Sequence, residues 1–343
     1  MEEGRPLEAL GAMIRKSGYW GGKRVFVTGA TGIVGSWVVR DLLGQSADVV
    51  ALVLDANSQS ELYRSGLVKC VTVVNGCLED FTLLQRAIVG YEIDTVIHLG
   101  AQAIVDVALR SPLATYETNI RGTWNLLEAC RLHPDLIESV VIASSDKAYG
   151  EHEQLPYTED MPLQGRQPYE VSKSCADLIA QSYFYTYGLP IAVARCGNIY
   201  GGGDLNWTRI VPGTIRSLYR GESPLIRSDG QYIRDYIYVK DVSSAYLSLA
   251  EHMNLPGVRG ECFNFSPESR VKVIEIVNLI RKIMKCDHIE ATVLNQAKGE
   301  IRNQYLSSEK AKRALAWIPT YGLEKALKET IDWYLAFWGG KGA

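Results

Sequence analysis

The chain has 343 residues, long enough for a large buried core, with 47% apolar and 22% charged residues, which are ordinary globular values. A formal net charge of −3 gives no reason to expect nucleic acid or an anionic membrane as partner. The first twenty residues carry early acids and no continuous apolar core, which argues against a secretory signal, and no run of 18 or more apolar residues follows. Seven scattered cysteines without a CxxC pattern read as buried free thiols in a reducing compartment, so a cytoplasmic location without bound metal is expected.

From residue 24 onward, short apolar runs alternate with longer helical patterns. Strands are predicted at Arg24–Val27, Asp48–Val53, Val71–Val74, Thr95–Leu99, Ser139–Ile142 and Ile191–Ala194. Runs this short and apolar on both faces suit a parallel sheet covered on both sides. The intervening helices are predicted over 33–45, 82–90, 119–132 and 170–188. Alternating βα units imply an α/β, doubly wound (Rossmann) sheet with right-handed crossovers. After about residue 197, glycines 201–203 and five prolines break the chain into shorter pieces. Residues 1–196 are therefore expected to form the dinucleotide-binding domain. Residues 197–343 are expected to be mainly a smaller C-terminal α/β substrate-binding lobe, with some segments returning to the first domain. The end of the chain predicts two amphipathic helices separated by Pro319.

The segment "VTGATGIVGSW" places Gly29, Gly32 and Gly35 between the first strand and the first helix. Small residues let the backbone approach a pyrophosphate, and a helix N-terminus offers N–H groups and partial positive charge. Thr31, Ile33 and Val34 complete this candidate cradle. Asp55, 20 residues past Gly35, is a candidate for the adenosine ribose hydroxyls, and no arginine lies nearby to grip a 2′-phosphate, so NAD is favoured over NADP. Downstream, "PYEVSK" puts Tyr169 and Lys173 four residues apart on one helical face, 24 residues after Ser145. A neighbouring ammonium would lower the phenol's pKa toward that of a usable base.

The GxxGxxG spacing, together with Ser145, Tyr169 and Lys173, resembles the extended short-chain dehydrogenase/reductase family from about Lys23 to Trp333. The resemblance implies that Ser145 hydrogen-bonds the sugar hydroxyl that loses its hydride. It also implies that "HLGAQA" supplies Leu99, Ala101 and Gln102 to the cofactor, with His98 structural. Leu78, in "NGCLED", would pack beside the adenine ring, while Cys77 stands where the family has an aspartate. Asn198, Arg209, Arg234 and Arg302 fall in segments that the family uses for its sugar-diphosphate substrate, and arginine's planar fork suits a diphosphate, while Asn119, a further substrate candidate, lies in "NIRGT", which the family packs near the catalytic tyrosine.

After the serine the chain reads "DKAYG". Asp146–Lys147 resembles the CDP-glucose 4,6-dehydratase branch, whereas the dTDP-glucose branch has Asp-Glu and simple 4-epimerases carry small or neutral residues. The implied reaction is oxidation at C4, loss of water across C5 and C6, and return of hydride to C6. Asp146 would be the general acid, and Lys147 either the C5 base or a charged stabiliser of the enolate. GDP, UDP and dTDP substrates stay open beside CDP. A nucleotide-sugar 4-epimerase, a non-catalytic dinucleotide sensor and a net reductase are the competing readings. Family analogy also implies a homodimer through the helices at 112–132 and 168–187.

Overall fold

A computed structural model describes residues 18–297 and 300–339. Its centre is a seven-stranded, wholly parallel sheet of β1 (Arg24–Thr28), β2 (Asp48–Val53), β3 (Thr72–Asn75), β4 (Thr95–His98), β5 (Ser139–Ala143), β6 (Ile191–Cys196) and β11 (Cys262–Phe265). Their order across the sheet is β11-β6-β5-β4-β1-β2-β3. The doubly wound expectation is met, and six predicted strands fall within a residue or two of their observed bounds. The seventh strand comes from the second half of the chain, whose only sequence signal there is the short "CFNF".

Alternation along each strand explains why the runs are apolar throughout. Val25 and Val27 of β1 enter one core while Phe26 enters the other, and Val141 of β5 is likewise separated from Val140 and Ile142. Helices cover both faces. Helix α1 (Ile33–Gly44) packs with the helix Val239–Glu251, while α2 (Phe81–Gly90), α3 (Gly122–Arg131) and α4 (Pro168–Tyr187) form the layer on the other face. Asp80 caps α2 by accepting from the Leu83 N–H at 3.0 Å.

Two helices differ from the sequence reading. The predicted helix at 119–132 belongs to a longer helical run starting at Pro112, interrupted by a π-helical turn over Glu117–Arg121. The wide turn carries Asn119, whose side chain is committed to tertiary bonds described below. Helix α4 begins earlier than predicted because Gln167 and Glu170 form a capping box with Pro168 at the first helical position. It ends at Gly188, which adopts φ +70°.

The second half adds short strands beyond the carboxyl ends of the main sheet. β7 (Asn198–Tyr200) pairs with β10 (Tyr236–Tyr238), and β9 (Ile233–Arg234) lies between β12 (Val271–Lys272) and β14 (Asn303–Gln304). The two predicted C-terminal helices are present at Glu309–Leu315 and Leu323–Gly339. Among the described residues no helix is long and apolar enough to cross a membrane.

Candidate active site

The strand order reverses between β1 and β4, and the crevice at that switch point is where open α/β sheets bind ligands. Gly29 follows β1 with φ +70°, and a Cβ there would lie 2.7 Å from the Gly100 nitrogen in the loop after β4. A Cβ on Gly35 would overlap the Gly29 carbonyl oxygen. These positions need glycine for close approach of turn, helix and neighbouring loop. Helix α1 opens at Gly32 with no side chain capping its first N–H groups. Gly29, Thr31, Gly32, Ile33, Val34 and Gly35 thus form a turn and an uncapped helix start that fit a pyrophosphate.

The opposite wall is fastened by a buried relay. Thr28 Oγ accepts from the N–H groups of Leu99 and Gly100 and contacts His98 Nδ1 at 2.8 Å, while His98 Nε2 lies 3.1 Å from Thr123 Oγ. Burial, then the charge of Lys173, pushes the His98 pKa down to about 3. A neutral, twice-bonded ring is a structural element. Gln102 presents its N–H to Asn119 Oδ1 at 2.7 Å, and Ala101 beside it is half-buried.

Asp55 lies exposed two residues past the end of β2. Leu78 is buried, and a Cβ added at Gly100 or Gly122 would run into its side chain, so it forms the floor under this loop. Asn119 lies against the helix of Tyr169, where the family packs this segment. It is only 2% exposed and is spent as a strut, with Nδ2 donating to the Gln102 carbonyl and to Ser172 Oγ of α4.

Ser145, two residues past the end of β5, stands near enough to Tyr169 of α4 to favour its phenolate. Lys173 Nζ, one turn on, donates to the Ala143 carbonyl at 2.8 Å. The Tyr169 phenol is governed by its burial and by nearby charge. Burial pushes the phenol up to about 12, and the positive charge that opposes this comes from Arg209, with Ser145 adding a hydrogen bond. Lys173 itself is brought down to about 8 by burial, against the pull of Asp177.

Asp146 is 2% exposed. Its Oδ1 accepts from Ser145 Oγ at 3.0 Å, while Oδ2 is buried with no hydrogen-bond partner. Burial raises its pKa, opposed by the charges of Lys147 and Arg234. Burial also lowers the pKa of Lys147, with Asp146 opposing. Among the described residues the pair forms no salt bridge, so each keeps a group available for other work.

On the substrate side, Asn198 Nδ2 is buried and unpartnered. Arg234, 7% exposed, donates to the Ile233 and Arg302 carbonyls at 3.0 Å, and its charge acts on both Asp146 and Lys147. Arg302 is more open and pairs with Asp229 at 3.0 Å, and both guanidiniums lie over the Tyr232 ring, at 5.4 and 5.3 Å. Arg209, paired with Asp204 at 3.1 Å, stands at the start of the helix Ile210–Tyr219. Sequence reasoning missed a buried network behind the site. Arg195 makes two bonds to Asp177 of α4, at 2.8 and 3.0 Å, and another to Tyr149 Oη at 2.8 Å. The "ARC" tripeptide looks like an ordinary strand, so nothing marked Arg195 as a buried clamp between β6 and α4.

Comparison with known proteins agrees with this geometry. The model of the GDP-mannose 4,6-dehydratase family matches residues 26–330. CDP-glucose 4,6-dehydratase of Salmonella typhimurium is 31% identical, over 96% of this chain and 95% of that protein. Among solved structures, dTDP-glucose 4,6-dehydratase of Streptomyces venezuelae, with NAD bound, superposes with a TM-score of 0.83 at 26% identity, covering 92% of this chain and 98% of that one. UDP-glucose 4-epimerase of Thermotoga maritima, with UDP-glucose, gives 0.84 at 28% identity, covering 92% and 99%.

Proposed function

The chain belongs to the GDP-mannose 4,6-dehydratase family, and from that premise we propose that it is a nucleotide-sugar 4,6-dehydratase that uses NAD and favours a CDP-glucose-like substrate. Dehydratase and epimerase relatives share the fold, so the fold alone does not choose between them. The observation that carries the dehydratase reading is Asp146: an enclosed carboxyl with raised pKa and an unpartnered oxygen, hydrogen-bonded to Ser145, the serine that also acts on Tyr169. A 4-epimerase needs no second proton donor of this kind.

When bound, NAD⁺ supplies the acceptor and later the donor of the hydride, and a positive charge in the site. Tyr169 takes the proton of the C4 hydroxyl, which Ser145 orients. Arg209 contributes the protein charge that favours the phenolate. Once C4 is a ketone, the C5 proton is acidic. Lys147, whose burial disfavours the ammonium, is suited to take that proton as the neutral amine. Asp146, kept protonated by burial, gives its proton to the departing C6 hydroxyl, which leaves as water. Asn198, Arg209, Arg234 and Arg302 are assigned to the sugar diphosphate.

Leu113, Trp124, Leu178 and Tyr185 remain exposed on the helices assigned to dimerisation, and a homodimer is part of this reading, testable by light scattering. The activity itself is tested by NMR of products formed with NAD⁺ and a panel of CDP-, dTDP-, UDP- and GDP-hexoses. A 4-keto-6-deoxy sugar supports the proposal, and a 4-epimer refutes it.

A further inference from the structure

Gln304 is fully buried, yet neither the nitrogen nor the oxygen of its carboxamide has a hydrogen-bond partner. An unpaired buried amide is costly, and native proteins rarely keep one without a use. Its surroundings suggest the use. Gln304 on β14 is the register partner of Arg234 on β9, so the two side chains share a face. Tyr236 follows Arg234 by two residues in extended chain, which puts it on that face as well. Asp235 between them turns the other way, bonded to Ser266, Ser269 and the Leu306 N–H. The Tyr236 hydroxyl is also buried and unpartnered, and Tyr236 is in register with Asn198, whose Nδ2 is in the same condition.

A strip of unpaired neutral polar groups therefore flanks Arg234, whose charge reaches both Asp146 and Lys147. Resting on the nucleotide-sugar reading above, we propose that Gln304 and Tyr236 are specificity-determining residues that hydrogen-bond hydroxyls of the substrate's hexose. A hydroxyl both donates and accepts, and so does a carboxamide; a diphosphate would use only half of the amide's capacity. The nucleobase is separated from the reacting hexose by two phosphates and a ribose. Arg234 itself is assigned to the diphosphate, and its charge also acts on Asp146 and Lys147, so the neutral groups of Gln304 and Tyr236 beside it lie where the diphosphate meets the reacting hexose.

The test compares CDP-glucose with CDP by calorimetry in the Tyr169→Phe background, where substrate is not consumed. Adding Gln304→Leu is expected to weaken CDP-glucose binding roughly ten-fold while leaving CDP affinity unchanged. The melting temperature should hold or rise, because an unpaired buried amide has been removed. Tyr236→Phe, which deletes one oxygen, gives the same selective loss and covers the case in which Gln304→Leu does not fold. If the ratio of the two affinities is unchanged in the variants, the inference is overturned: equal losses place the residues at the nucleotide, and no loss leaves them satisfied by buried water. If the parent protein binds neither CDP-glucose nor its dTDP, UDP and GDP counterparts, the nucleotide-sugar reading falls first and carries this inference with it.

Discussion

Ser145 Oγ donates to Asp146 Oδ1 at 3.0 Å, while the second carboxyl oxygen of Asp146 is buried without a partner. Ser145 also acts on Tyr169, so the base for the C4 hydroxyl and the acid for the C6 hydroxyl stand about one serine. Asp146→Asn keeps an acceptor for Ser145 and removes the acid. It is expected to retain C4 oxidation while 6-deoxy product falls by about 10²–10⁴-fold. Lys147→Met should act alike. Single-turnover absorbance of reduced nicotinamide, set beside product NMR, separates the two steps, and normal 6-deoxy product from both variants would end the assigned roles.

Tyr169→Phe is expected to abolish hydride transfer altogether, read in the same absorbance assay. Arg209→Gln should move the rise of C4 oxidation to higher pH, because Arg209 is the charge that lowers the phenol's pKa. A pH–rate profile identical to that of the parent would remove Arg209 from this role, whatever happens to substrate affinity.

Glycine substitutions discriminate the cradle from ordinary turns. In Gly35→Ala the new Cβ would overlap the Gly29 carbonyl oxygen, so NAD affinity should fall at least about ten-fold, with a lower melting temperature. Gly90→Ala, at the end of α2 with open space around it, should be neutral or stabilise by up to about 1 kcal/mol. Calorimetric titration with NAD and thermal melts of both variants check this pair.

Much of this was legible beforehand. The six strands and the cradle were readable because apolar runs and glycines act locally, through burial on both faces and through steric approach. The triad and Asp146–Lys147 could be found because the helix and the strand end hold them at fixed spacing. Other features depend on contacts between distant segments. The place of Asn119 is set by a π-helical turn and by Gln102, 17 residues earlier in the chain. Lys173 is held by the Ala143 carbonyl, 30 residues away, and burial dominates the Tyr169 phenol, neither of which shows in local spacing. Gln304 and Arg195 carry no local signal, since their neighbours come from segments about 70 and 20 residues away.

His98 gives stability a predictable pH dependence. An unfolded histidine titrates near 6.5, whereas this one is held at about 3, so between these values the unfolded chain binds a proton that the folded chain refuses. Stability contributed by this neutral ring is therefore present above pH 6.5 and is lost as pH falls, by up to about 1.4 kcal/mol per unit. His98→Asn should be less stable at pH 7 but lose less between pH 6.5 and 4.5 than the parent. Parallel denaturation midpoints across that range would contradict the assignment.

The central claim is that Asp146 and Lys147 serve an elimination across C5 and C6. The most direct measurement is NMR of the product formed from CDP-glucose with NAD⁺ in deuterated water. The account predicts a 4-keto-6-deoxy sugar bearing deuterium at C5. A 4-epimer with its C6 hydroxyl intact and no label from solvent would contradict it, and would make Asp146 and Lys147 binding residues.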